Sequence, residues 1–202
     1  VLTKAGSPNR SESGQMAAIL ADEDRLKSVC SERGAGLLLL RPTLIYGCGL
    51  DRNISLLARI GKRSGFIPVA GNAGGLRQPV HADDLAALAV GALVAGEKID
   101  MESPACGGTT LSYRAMVTEI AGCFSGVRAV RLPTGLLLAA TGLASLFPAF
   151  RGVNTEMVRR QAVDLVFDDS PLRSALSYAP RAFKPVAADF EIPPEARALQ
   201  LA

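Results

Sequence analysis

The chain has 202 residues, 49% hydrophobic and 20% charged, with 22 basic against 19 acidic side chains and a net charge of +3. That length suits one domain or one and a half, with a core that needs neither disulfides nor metals. The apolar content excludes a disordered tail or a coiled coil, and the balanced charge, 5% aromatics and lack of tryptophan exclude a base-stacking nucleic-acid binder.

The single histidine, His81, excludes a His-rich metal site and a catalytic histidine pair. Val1 to Arg10 is not a signal peptide, so a processed protein or a piece of a longer one is expected. Cys30, Cys48, Cys106 and Cys123 stand 18, 58 and 17 residues apart, which matches neither a zinc ribbon nor a CxxC pair. They read as reduced thiols in a cytoplasmic protein, and no metal is expected.

In chain order, Ser13 to Cys30 has helical spacing, with Met16, Ile19, Leu20, Leu26 and Cys30 near one face, and Gly34 and Gly36 end it. Leu37 to Leu40 is a continuous apolar run, predicted as a strand covered on both faces, as in a parallel sheet. After the Gly-rich exit Pro42 to Gly49, Asn53 is placed to cap a helix with Ile54, Leu57, Ala58 and Gly61 on one face. Phe66 to Ala70 and Gln78 to His81 are short strands, with Gly71 to Gly75 a hairpin loop between them. Asp83 sits where an N-cap belongs, and Asp84 to Ala95, apolar nearly all round, predicts a buried helix.

Ile99 to Glu102 is a short strand candidate. Ser112 caps an amphipathic helix carrying Tyr113, Met116, Val117, Ile120 and Ala121, and Val127 to Leu132 is another strand. Pro133 opens an uncharged run that ends at Phe150. A spanning helix needs about 20 apolar residues, and Pro148, Gly135, Thr141, Gly142 and Ser145 make this run a buried or interfacial helix instead. Asn154 is a candidate cap for a helix towards Asp164, and the proline-rich tail after Ala179 is irregular.

Three familiar chemistries are missing. Gly71-Asn72-Ala73-Gly74-Gly75 leads into a strand, so no helix N-terminus faces a phosphate there. Tyr46, Tyr113 and Tyr178 have Leu50, Val117 and Ala182 four residues on, so none shares a helical face with a lysine. No G-x-S-x-G elbow accompanies His81 and Asp83, and His81 reads better as a hydrogen-bonded strand-end residue than as a catalyst. What stands out is a pair of segments: Leu40-Arg-Pro-Thr-Leu-Ile-Tyr-Gly47, at the carboxyl end of a buried strand where open α/β sheets place ligands, and Gly75 to Ala86. In the second, Arg77 offers a fork suited to phosphate, against the plainer reading of a surface arginine before a structural strand.

At these segments the sequence resembles the NAD-dependent epimerase/dehydratase family, the extended and atypical short-chain dehydrogenase/reductases. Arg41 to Gly47 matches the pattern R-P-x-x-[VI]-Y-G, and Arg77 to Ala86 matches R-x-[FPY]-[VI]-H-[VA]-x-D-[LV]-A without a gap. Glu23 lies 18 residues before Arg41, as a helical Glu of that family does. The resemblance implies an α/β chain: the C-terminal part of a Rossmann-like, doubly wound parallel sheet plus a smaller mixed α/β substrate-side domain. Residues 1–98 would be the cofactor-binding half and 99–202 the substrate region.

It further implies NAD or NADP as cofactor, with Pro42, Thr43, Leu44 and Ile45 lining the nicotinamide. A nucleotide-sugar-like substrate would meet Asn53, Arg77 and His81. The glycine fingerprint would precede Val1, and the family's catalytic Tyr and Lys positions fall on Gln15 and Ile19, so no catalytic residue is assigned. Three readings therefore stand: part of an epimerase/dehydratase, a non-catalytic dinucleotide-binding or scaffold protein of the same fold, or a form of either docked on a membrane through 132–147. A homodimer is open in each.

Overall fold

Four leucines in a row, flanked by glycine and by Arg41-Pro42, form the strand from which the fold is built. A computed structural model describes residues 10–96, 98–144, 155–194 and 196. Helix α1 (Arg10–Glu32) leads into β1 (Leu37–Pro42), which runs parallel to β6 (Asp100–Ala105) in register Leu37↔Asp100 to Pro42↔Ala105. Between them lie β2 (Ile45–Tyr46), α2 (Ile54–Ser64), β3 (Phe66–Ala70), β4 (Leu76–Arg77), β5 (Val80–His81) and α3 (Ala82–Val94). After β6 come β7 (Leu111–Ser112), α4 (Tyr113–Gly122), β8 (Arg128–Leu132), α5 (Thr134–Ala144), α6 (Thr155–Arg160) and α7 (Ser170–Leu176), then a 3₁₀ turn, Ala187–Phe190. β2 pairs parallel with β5 and β3 parallel with β8, whereas β4 and β7 are antiparallel.

Three apolar clusters hold the described residues together, the least of them Ala70, Leu137 and Val158. Of the other two, the larger gathers Ile54, Leu57 and Ala58 of α2, Ile67 and Val69 of β3, and Met116, Val117, Ile120 and Ala121 of α4 around Tyr46, Phe183 and Phe190. The smaller packs Val80, Leu88, Ala105, Leu172 and Tyr178, with Leu38, Leu40 and Met101 against them. The amphipathic spacing of α4 is realised residue for residue, and Ser112 caps it by accepting the Ala115 N–H. Gly65 ends α2 in the left-handed region, φ +76°, which lets its N–H bond the Gly61 carbonyl.

Several expectations are corrected. Asn53 occupies the N-cap position of α2 but its side chain makes no cap bond; Asp51 Oδ1 instead accepts the N–H groups of Asn53 and Ser55, each at 3.0 Å. Nor does Asp83 cap α3: His81 does, its Nδ1 accepting the Asp83 N–H at 3.1 Å. Gly71 to Gly75 is no hairpin, because the strands either side of it pair with different partners, β8 and β7. Leu37 to Leu40 are half-buried rather than covered on both faces, and β6 is the only ladder partner of β1 among the described residues.

Helix α3 departs furthest. Only Leu88 is buried, while Val90, Leu93 and Val94 are 58%, 81% and 79% exposed. An apolar helix needs neighbours all round, and the described chain supplies them on one side. Of the uncharged run, α5 buries Leu137 and exposes Leu136. Its continuation from Ser145, like the proposed cap Asn154, lies outside the described residues. Among the described residues no helix is long and apolar enough to cross a membrane. The helix Ser170–Leu176 had no signal in the sequence beyond Pro171 in its first turn.

The cap assignment predicts that Asp51→Ala lowers stability by about 1–2 kcal/mol, while Asn53→Ala stays within ~0.5 kcal/mol. Urea unfolding of both variants tests this, and equal losses would contradict it.

Burial sets a second expectation. It pushes the Tyr46 hydroxyl, with help from Asp189, and the Cys106 thiol, with help from Asp169, each up to about 12. Their ordinary values are 10.0 and 9.0, so the native state holds both protons more tightly than the unfolded chain. The associated stability is complete below pH ~9 and is lost as pH rises towards ~12. Urea midpoints should fall steeply above pH ~9, and less steeply in Tyr46→Phe. A flat midpoint over that range would contradict the buried environment.

Candidate functional site

The exit from β1 is fixed by charge before it reaches the site. Arg41 reaches Glu23 of α1 through Nη2 at 2.6 Å and Glu102 of β6 through Nη1 at 2.6 Å. Lys27 adds a second cation to Glu102 at 2.9 Å, and the Lys27 ammonium and Arg41 hold that carboxyl below its usual range. The Glu23–Arg41 pair, 18 residues apart in sequence, thus ties α1 to the two parallel strands. Beyond it, Pro42 is exposed, Thr43 and Leu44 are half-buried and Ile45 is 37% exposed.

Main-chain bonds lock this exit to its neighbours. Thr43 donates its N–H to the Ala105 carbonyl at 3.1 Å and its hydroxyl to the Gln78 carbonyl, and Leu44 O accepts the Val80 N–H at 2.9 Å. Ile45 and Tyr46 then lie in register with Val80 and His81, so the two motif segments meet strand to strand. Gln78 braces the arrangement by exchanging two bonds with the main chain of Phe167, at 2.8 and 3.3 Å.

The His81 ring is 6% exposed and sits between these elements. Since Nδ1 accepts the α3 cap bond, the neutral ring carries its proton on Nε2, which faces Asp189 Oδ1 at 3.4 Å. Tyr46 meets the ring edge-on at 4.9 Å and meets Phe183 at 5.0 Å. Gly47, at φ +120°, has the ring where a side chain would be: a Cβ there would lie 2.5 Å from His81 Nε2. The glycine of the first motif is therefore demanded by the histidine of the second.

Arg77 is 3% exposed. Its Nη1 donates to the Leu76 and Val163 carbonyls, each at 2.7 Å, its Nη2 donates to the Arg160 carbonyl at 2.5 Å, and the guanidinium lies 5.4 Å from the Tyr113 ring centre. Desolvation lowers its pKa. Asn53, by contrast, is exposed on the turn before α2. The structure thus joins Pro42–Ile45 to His81, seats Arg77 under the 160–163 turn, and leaves Asn53 at the surface. Sequence reasoning missed Asp189, 108 residues from His81 and in a tail without pattern, and the Asp84–Arg181 pair at 2.8 Å.

A nicotinamide dinucleotide is the group that the motif resemblance implies. Pro42 and Ile45 offer exposed apolar surface at the carboxyl end of a parallel strand, whereas Leu44 packs against the larger core. For the pyrophosphate the described residues offer no strand-to-helix glycine turn, because Gly71–Gly75 leads into β4. At Gln15 and Ile19, the two α1 positions where the motif resemblance would place a Tyr and a Lys, no phenol or ammonium is present, and Ile19 is 39% exposed. No group of three or more His, Cys, Asp or Glu among the described residues is placed to hold a metal ion.

Gly47→Ala should lower stability by about 2–4 kcal/mol, combining positive-φ strain with displacement of a packed ring. Thermal or urea unfolding measures it, and a loss under ~0.5 kcal/mol would mean that the ring does not occupy that space.

No family model matches the chain, and no curated protein does. Solved structures share its fold at low identity. UDP-N-acetylglucosamine 4-epimerase from Bacillus cereus is 16% identical over 91% of this chain and 52% of its own, with a TM-score of 0.57. RMD from Pseudomonas aeruginosa, solved with NADPH, is 16% identical over 85% and 52%, with a TM-score of 0.55. MoeE5, solved with UDP-glucose and NAD, is 17% identical over 83% and 48%, with a TM-score of 0.53. The chain spans about half the length of these proteins, and over that span it has their Rossmann-like α/β fold.

Proposed function

We propose that the chain is the carboxyl-terminal part of an NAD- or NADP-dependent protein of the epimerase/dehydratase type, with a nucleotide-sugar-like ligand. The carrying observation is the in-register pairing of Ile45–Tyr46 with Val80–His81, which joins the two motif segments at the ends of parallel strands. Pro42 to Ile45 would line the nicotinamide, with the main chain near Ile45 meeting its carboxamide. Thr43 would act from within, its hydroxyl fixing the segment to Gln78 rather than touching the cofactor. The bound dinucleotide would supply hydride chemistry. Residues 1–98 would form the cofactor side and 99–202 the substrate side in a cytoplasmic protein, in keeping with its four free cysteines.

On the substrate side, Arg77, Asn53 and His81 are the proposed ligand residues. Arg77 would reach a diphosphate by exchanging the Arg160 and Val163 carbonyls for phosphate oxygens, so binding would shift the 160–163 turn. The half-buried β1, with one ladder partner, and the exposed apolar face of α3 support the reading of a sheet that continues beyond this chain. The other reading, a non-catalytic dinucleotide-binding or scaffold protein, rests on Gln15, which cannot act as a phenolate base, and Ile19, which can neither lower a phenol pKa nor hold a ribose, and the structural neighbours do not favour it.

Titration of the full-length protein with NADH and NADPH, followed by fluorescence, should give saturable binding; none at millimolar cofactor would overturn the cofactor reading. Arg77→Ala should weaken a nucleoside diphosphate sugar by about 1.5–3 kcal/mol. Unchanged affinity in the folded variant would leave Arg77 as a structural residue. Cofactor binding without hydride transfer to any sugar nucleotide would favour the scaffold reading.

A further inference from the structure

The segment 181–191 crosses the candidate site as a strap and touches β2, β5, α2, α3 and the turn after Tyr46. Arg181 Nε meets Asp84 Oδ1 of α3 at 2.8 Å, and its main-chain N–H bonds Asp84 Oδ2 at 2.9 Å. Phe183 packs on Tyr46 and donates its N–H to Thr109 Oγ1 at 3.0 Å. Glu191 approaches Lys62 of α2 at 3.7 Å, and Phe190 packs on Phe124. The Asp189 carbonyl accepts the Gly49 N–H at 3.0 Å, so the strap also holds the far end of the Tyr46–Gly49 turn.

We propose that Asp189 is a positioning residue: it holds the free nitrogen of His81, and so keeps the imidazole seated against Gly47 and Tyr46. The α3 cap bond holds the ring at Nδ1 alone, and that single bond breaks whenever the ring turns about its bond to Cβ. Asp189 Oδ1 receives the other end, and its own carboxylate is aimed by Oδ2 accepting the Val186 N–H at 2.8 Å. The other charged groups facing the ring are Asp83, whose Oδ2 lies 3.5 Å from Nδ1, and Arg181, which draws on Asp83 at 3.8 Å and on Asp84. Tyr46, with its hydroxyl proton held, adds no charge. Two-point attachment explains why a ring that is only packed edge-on can serve as a wall for the turn that carries the first motif.

The test uses long-range ¹H–¹⁵N spectra and amide exchange on the full chain, with His81→Gln as the assignment control. The native protein should show His81 as the Nε2–H tautomer. Asp189→Ala should mix in the other tautomer and speed exchange of the Asp83 amide by roughly tenfold, while Val69 in β3 stays unchanged. The Asp83 amide does not touch Asp189, so its response reads the ring and not a general loosening. Asp189→Asn keeps one acceptor oxygen but sets an amide donor against either the Val186 N–H or the His81 Nε2–H, so it should give a smaller effect of the same kind, which also serves if the alanine variant fails to fold. An Nδ1–H tautomer in the native protein overturns the proposal, as does an unchanged Asp83 amide in Asp189→Ala. So does an Asp189→Asn variant whose Asp83 amide exchanges as in the native protein. Cofactor affinity is not part of this readout, so the latch and the cofactor reading can fail separately.

Discussion

The seat of the His81 imidazole is the constraint on which the candidate site depends. One ring caps α3, fills the space a side chain at residue 47 would need, and presents its edge to Tyr46. Tyr46 belongs to the larger core, with Ile54, Ile67 and Val117, so the ring couples the site to the most deeply buried part of the molecule. A change at any of these positions is felt at the others because packed interiors have no slack to absorb it. The two motifs are therefore one structural unit written in two places.

Charge is handled in two ways around this unit. Arg41 is neutralised by Glu23 and Glu102, a small network that anchors α1 to β1 and β6 and leaves only its Nε without a partner. Arg77 is as deeply placed, yet it is held by three carbonyls and an aromatic face instead of a carboxylate. Guanidinium stays protonated even when desolvated, and Asp164 answers part of that charge from a distance. The first arginine ties elements together through carboxylates, and the second is fixed by main-chain carbonyls.

Local patterns made much of this fold legible. Periodicity placed α1, α2 and α4, the Leu37–Leu40 run placed β1, and motif resemblance paired Arg41 to Gly47 with Arg77 to Ala86. Ser112 was readable as a cap because Ser at that position has one common use. Caps failed where two candidates stood close together: Asp51 displaced Asn53 and His81 displaced Asp83, choices decided by the approach of the chain and not by residue type. Asp189 was beyond reach, since a contact spanning 108 residues leaves no periodic trace. The Gly71–Gly75 loop misled for the same reason: short range said turn, and long-range pairing with β7 and β8 decided which strands it joined.

Two exposed helix faces of the same chain carry opposite compositions. Helix α2 turns Arg59, Lys62 and Arg63 to solvent, the usual arrangement for a surface helix. Helix α3 has no charged residue from Leu85 to Ala95 and turns Val90, Leu93 and Val94 outward instead. Single exposed apolar residues are ordinary, but a helical face that combines three of them with alanines and no charge has the composition of an interior face. The expectation that α3 would be buried was thus wrong about its surroundings here but right about its chemistry. The same holds for β1, whose four leucines have the continuous pattern of a strand flanked on both sides. Sequence pattern records the environment in which a segment works, so these two surfaces carry more weight than their exposure alone.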